Sequence, residues 1–189
     1  MAQTNTIHQQ PIMIATPLVK GGGVYATPDT IRRGSGAEQR FANMCSKRRL
    51  GVYPATPFEN RVMHFDYIVV LRDGLDTRQR VEVKAIKSRR RGETPDPSVI
   101  FVELKNVSGG PGWVYGKSDI VAFEQPSGFL MVQTRALKHL AESMVSTCKH
   151  ANRSGIHHTL YKRRERDDLM LVLSRDDVTK LDGTFVISD

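Results

Sequence analysis

The sequence predicts a mixed α/β domain, and three features of it do so. An amphipathic helical stretch comes first, and short β-branched and aromatic runs separated by glycine- and proline-bearing turns follow it. A second amphipathic stretch then precedes a last apolar run. A chain of 189 residues, 39% of them hydrophobic, has material for one domain with a substantial core. Residues 1–30 are rich in Gln, Thr, Pro and Gly, including Gly21-Gly22-Gly23. They predict a flexible or loosely packed arm ahead of a single domain over 31–189.

Each element has its own signal. Ala37, Phe41, Met44 and Cys45 recur at helical spacing from a start near Ser35, and Gly51, Pro54 and Pro57 break that helix. Strands are expected over 64–71, closed by the turn Arg72-Asp73-Gly74, then over 81–86 and 98–104. A glycine-rich loop over 108–112 leads into Trp113 and Tyr115. Short strands over 120–123 and 129–133 flank the turn Pro126-Ser127-Gly128. Thr134 stands where a helix cap belongs before 136–144. The stretch 149–166 is basic and weakly periodic, 168–173 forms a final strand, and Ser174 caps a short turn through Val178. The expected fold class is α/β, a mixed central sheet built from four to five of these strands and flanked by helices.

Charge narrows the partners. The 28 Lys and Arg outnumber the 20 Asp and Glu, giving +8 and an isoelectric point near 9.7. Such a surplus favours polyanions through phosphate neutralisation and counterion release. Cys45 and Cys148 are too few for a disulfide framework or an all-cysteine zinc site, so reduced thiols in the cytoplasm or another intracellular compartment are expected, the nucleus included for a eukaryotic or viral host. His157 and His158 are adjacent, and His139 and His150 are too far apart for a zinc pair. Pro111 stands where a phosphate loop ending in Gly116-Lys117-Ser118 needs its leading glycine, so ATP hydrolysis finds no support. No stretch approaches the ~20 apolar residues of a membrane span.

The chemistry concentrates in Val81-Glu82-Val83-Lys84-Ala85-Ile86. On a strand, Glu82 and Lys84 share one face and Val81, Val83 and Ala85 the other. Asp66 sits near the start of the preceding strand, and the intervening turn makes the two strands antiparallel neighbours, so both carboxylates meet at one end of a hairpin. Paired carboxylates suit a hard divalent cation that retains waters and engages phosphate. A lysine on the same face can orient a water and neutralise charge on a scissile phosphate.

With Asp66 in Phe65-Asp66-Tyr67, Glu82-Val83-Lys84, and Glu38 on the preceding helix, the chain resembles the PD-(D/E)XK nuclease superfamily across roughly residues 34–145. This is the fold shared by restriction endonucleases, phage exonucleases and Holliday-junction resolvases. Phe65 stands at the position of the name-giving proline. The resemblance implies a restriction-endonuclease-like core and a Mg²⁺-dependent deoxyribonuclease, with Mn²⁺ as an alternative ion. It puts Asp66 and Glu82 on the metal, gives Lys84 the orientation of the attacking water, and makes Glu38 a supporting carboxylate and metal ligand. DNA is the implied substrate, RNA stays open, and a homodimer would match cleavage of both strands.

Lys87, Arg89, Arg90 and Arg91 follow the proposed catalytic strand as a nucleic-acid-gripping edge, or alternatively as a solvated loop. Lys162, Arg163, Arg164 and Arg166 form another basic run, more simply explained as surface. Glu103 and Lys105 repeat the E-x-K spacing, but Glu82 has the neighbours of a buried central strand. Trp113 is expected in the core, with base stacking as its functional alternative, and Asp119 is expected to be structural. Two other functions stay open: a non-catalytic nucleic-acid-binding protein on the same scaffold, and a basic protein-interaction module.

Overall fold

The computed structural model describes residues 28–189, except 72, 74, 90–91, 152–155 and 164–165. In chain order, the described residues form α1 (Pro28–Lys47), β1 (Gly51–Pro54), β2 (Tyr67–Val70), β3 (Arg78–Lys84), β4 (Val99–Lys105), β5 (Ile120–Gln125), β6 (Gly128–Gln133) and α2 (Thr134–Val145). There follow β7 (Lys149–Ala151), β8 (Thr159–Tyr161), β9 (Leu169–Ser174), α3 (Arg175–Thr179) and β10 (Phe185–Ser188). The fold is mixed α/β, as expected.

The strands form two mixed sheets rather than one. The first has the order β1-β2-β3-β5-β6-β10, and the second β4-β9-β8-β7. The expected central sheet of four to five strands is therefore six strands wide, and the strand foreseen over 98–104 is not in it. β4 pairs antiparallel with β9, Val99 against Ser174 and Val102 against Leu171. The chain leaves the first sheet after β3, crosses to the second as β4, and returns as β5. Only such a crossover lets β3 and β5 pair in parallel, Glu82 against Val121 and Lys84 against Phe123.

β3 is packed on both faces. Below it, Ala37, Phe41, Met44 and Cys45 of α1 meet Tyr67, Val69, Val81, Val83, Phe129 and Met131. Phe41 meets Phe129 edge-on, with ring centroids 5.3 Å apart. On the other face, Val121, Phe123, Leu130 and Val132 pack against Ile100, Val102, Leu104, Leu171 and Leu173 of the second sheet, with Leu137 and Ala141 of α2 beside them. The expected helix on each face becomes α1 on one and a sheet plus α2 on the other. Alternation along β3 commits Val81 and Val83 to α1 and turns Glu82 and Lys84 toward the second sheet.

Local signals explain the element ends, and some differ from expectation. α1 starts at Pro28, ahead of Ser35, so the boundary expected between 30 and 31 falls inside a helix. The rest of the expected arm, residues 1–27, lies outside the described residues. α1 ends where Arg49 turns left-handed (φ 57°) and the Leu50 N–H donates to Cys45 O at 3.1 Å. Gly51 and Pro54, read as breakers, bound β1. Thr134 is the first helical residue rather than the cap, which is Gln133, and its hydroxyl bonds Ser118 Oγ at 3.0 Å. Ser174 does cap α3, in a reciprocal box with Asp177.

Candidate active site

The site lies where β2 and β3 meet. A π-helical turn over Glu59–Met63 ends on His64 in the left-handed conformation (φ 54°, ψ 62°). The Lys117 N–H anchors that turn by donating to Met63 O at 2.7 Å. Widened helical turns and left-handed non-glycine residues are concentrated at functional sites. Both features here immediately precede Asp66.

Asp66 is fixed at every polar atom. Its N–H donates to Val81 O at 2.8 Å, and its carbonyl accepts from the Ala55 N–H at 2.8 Å. In the side chain, Asn60 Nδ2 donates to Oδ1 at 2.6 Å and the Val83 N–H donates to Oδ2 at 2.7 Å. The first expected carboxylate thus rests on the amide that joins Glu82 to Val83. The β2–β3 pairing ends at Tyr67 with Val81, and Asp66 lies one residue beyond that last pair.

Glu82 is 5% exposed, and its Oε1 is ion-paired with Lys84 Nζ. The Lys84 ammonium also stands 4.7 Å from the centre of the Trp113 ring. Gly112, just before Trp113, presses against the backbone of β4. A Cβ there would lie 2.0 Å from Glu103 O, and the Gly112 N–H donates to Leu104 O at 3.0 Å. Trp113 is core, as expected, but its ring also holds the lysine in place. Tyr115 is partly exposed and lies under Lys138 Nζ at 5.2 Å.

Buried carboxylates single this region out. Among the described residues four Asp or Glu side chains are buried, and Glu38, Asp66 and Glu82 are three of them. Acidic side chains seldom leave water without a partner or a ligand. The three do not, however, gather at one point. Glu38 lies on α1, where its backbone carbonyl accepts from the Tyr67 hydroxyl at 3.3 Å. No group of three or more His, Cys, Asp or Glu among the described residues is arranged to hold a metal. The acidic pair is Asp66 and Glu82. It still fits Mg²⁺, which commonly takes one or two carboxylates and fills its shell with waters and phosphate oxygens.

The basic edge divides. Lys87 reaches the cleft between the sheets, with Nζ 5.7 Å from the centre of the Phe101 ring. Arg89 instead braces its own loop, with Nε donating to Asp96 Oδ2 at 2.5 Å and a second nitrogen donating to Ser98 Oγ at 3.1 Å. Hydrogen bonds from Ser98 and Arg89 hold Asp96 down to about 2. Arg90 and Arg91 lie outside the described residues. The rival Glu103 and Lys105 stand on β4 in the second sheet. Asp119 is structural: Arg80 forks onto it at 3.0 and 2.8 Å, tying β3 to the strand beside it.

Sequence reasoning missed three contributors. Asn60, which clamps Asp66, sits in a stretch with no periodic signal. Asp168, read as the start of the final strand, is fully buried, and its ion-pair partner Arg163 falls in the basic run taken as surface. An apolar cavity of about 520 Å³, lined in part by Phe41, Leu50, Met131 and Phe185, is on the α1 face, and neither Glu82 nor Lys84 lines it. Among the described residues no helix is long and apolar enough to cross a membrane.

Comparison with family models, curated proteins and solved structures returns no match. The chemistry of the site therefore rests on its own side chains.

Proposed function

We propose that the protein is a Mg²⁺-dependent nuclease of PD-(D/E)XK type that hydrolyses phosphodiester bonds in DNA. The observation that carries this reading is the Asp66–Glu82–Lys84 arrangement: two buried carboxylates at one hairpin end, joined through the Val83 amide, with a lysine on the same face. Asp66 and Glu82 would hold the ion. When bound, Mg²⁺ supplies Lewis acidity to a phosphoryl oxygen and lowers the pKa of a coordinated water. Lys84 offers N–H donors to the attacking water and to a non-bridging phosphate oxygen, where negative charge grows. Trp113 limits where that ammonium can swing, and Asn60 keeps the Asp66 carboxylate turned to β3. A water oxygen bonds to phosphorus as the bond to the leaving oxygen breaks.

The test is incubation with supercoiled, linear and branched DNA in Mg²⁺, Mn²⁺ or EDTA, beside Asp66→Ala and Lys84→Ala. Cleavage that needs the divalent ion and disappears in both variants supports the reading. Metal-dependent cleavage that persists in both rejects the site.

One observation favours a second reading. Lys84 closes onto Glu82 Oε1, one of the two oxygens a cation could use, as it would in a nucleic-acid-binding protein without cleavage. Salt-sensitive DNA binding with no cleavage under any ion would select that reading.

A further inference from the structure

The cavity on the α1 face of the first sheet, about 520 Å³, has the size of a small-molecule pocket. Phe41 and Cys45 of α1, Val69 of β2, Val81 of β3 and Met131 of β6 give it an apolar wall. Phe185 of β10 also lines it and is half exposed, so the cavity reaches solvent. Its polar lining gathers at one end. Val81 pairs with Ile120, and Ile120 pairs with Gln133. Gln79 on β3, Asp119 just ahead of β5 and Gln133 on β6 therefore lie at the same end of three neighbouring strands, and Arg135 follows in the first turn of α2. Asp119 is neutralised by the fork from Arg80. The Gln79 and Gln133 amides and the Arg135 guanidinium have neither hydrogen bond nor ion pair among the described residues. The turn at Gly183 presses on Gln133, since a Cβ there would lie 2.4 Å from Gln133 Nε2. Among the described residues that line the cavity, Arg135 thus supplies the one uncompensated charge, and it is positive.

We propose that this cavity binds a fatty-acid-like carboxylate, its aliphatic tail against Phe41, Val81 and Met131 and its head group on Arg135, Gln79 and Gln133. Gln133 and Arg135 are exposed, so the charged head stays at the wet mouth while the tail leaves water. A guanidinium forks onto a carboxylate, and each amide has N–H donors for the same oxygens. An uncharged apolar ligand would not use the Arg135 charge, and a nucleic-acid strand would leave the apolar wall bare. The site does not depend on the nuclease reading. Along β3, Val81 faces this cavity while Glu82 and Lys84 face the second sheet.

The test is isothermal titration calorimetry of decanoate into the full chain at pH 7.5, beside octanoate, decan-1-ol and acetate. Decanoate should saturate at one molecule per chain. Octanoate, two methylenes shorter, should bind about tenfold more weakly, and acetate should give no binding heat. Decan-1-ol, which lacks the charge, should also bind about tenfold more weakly than decanoate. Arg135→Gln should weaken decanoate about tenfold and leave decan-1-ol unchanged. Methyl-¹³C methionine NMR places the tail: the Met131 signal should shift with decanoate, and that of Met170, in the second sheet, should not. Equal affinity for decanoate and decan-1-ol, or an Arg135→Gln protein that binds decanoate like wild type, overturns the carboxylate site. So does a decanoate that shifts Met170 and not Met131. A cavity taken by another segment of the chain or by a second copy would give no saturable binding, and that result overturns the proposal as well.

Discussion

Asp66 Oδ2 accepts a 2.7 Å hydrogen bond from the Val83 N–H, so the side chain at the head of β2 is joined to the strand that carries Glu82 and Lys84. The acidic pair is thus held by backbone as well as by packing. Asp66→Ala leaves the buried Val83 N–H without an acceptor and should cost about 1–3 kcal/mol in urea unfolding. Asp66→Asn retains an acceptor oxygen and should cost less. Both should abolish metal-dependent cleavage, which separates the chemical role from the structural one.

Phe41 is fully buried between α1 and the first sheet, against Tyr67 and Phe129. Phe41→Ala should lower unfolding free energy by about 3–5 kcal/mol, through lost burial and the cavity left behind. An equilibrium denaturation curve measures this. A loss below ~1 kcal/mol would show that α1 is not packed on the sheet as described.

The Arg89–Asp96–Ser98 brace has a pH signature. Asp96 has a folded pKa of about 2, below its ordinary value of 3.8. Its stabilising contribution is therefore present above pH 4 and lost as pH falls through 2. Asp96→Ala should be less stable than wild type at pH 6, and the gap should close on acidification. A gap that stays constant to pH 2 would remove the brace from the account.

The two thiols should separate. Burial pushes Cys45 up to about 12, while Cys148 is only partly buried and its pKa is raised less strongly. A thiol reagent at pH 8 should label Cys148 first and reach Cys45 only when the protein unfolds. Mass spectrometry of the labelled peptides decides it.

Much of this was legible locally. The spacing of Ala37, Phe41, Met44 and Cys45 marks the buried face of α1, and the period of two through Val81–Lys84 assigns those four side chains of β3 to their faces. The Ser174–Asp177 cap could also be read directly. Sheet membership could not. Val99 and Ser174 pair across most of the second half of the chain, and nothing in the run 98–104 distinguishes a strand of one sheet from a strand of another. β7 and β8 were hidden because Lys149–Ala151 and Thr159–Tyr161 are three residues each, too short for a period to show. At the site, the pairing of Asp66 with Glu82-Val83 followed from one turn, whereas Asn60 and the Arg163–Asp168 pair depend on tertiary placement.

The central claim is that Asp66 and Glu82 share a divalent cation. Titrating Mn²⁺ into wild type, Asp66→Asn and Glu82→Gln and following the free ion by electron paramagnetic resonance tests it without requiring turnover. One ion should bind the wild type and be lost from each variant. Equal Mn²⁺ binding by all three proteins, or none by the wild type, would contradict it.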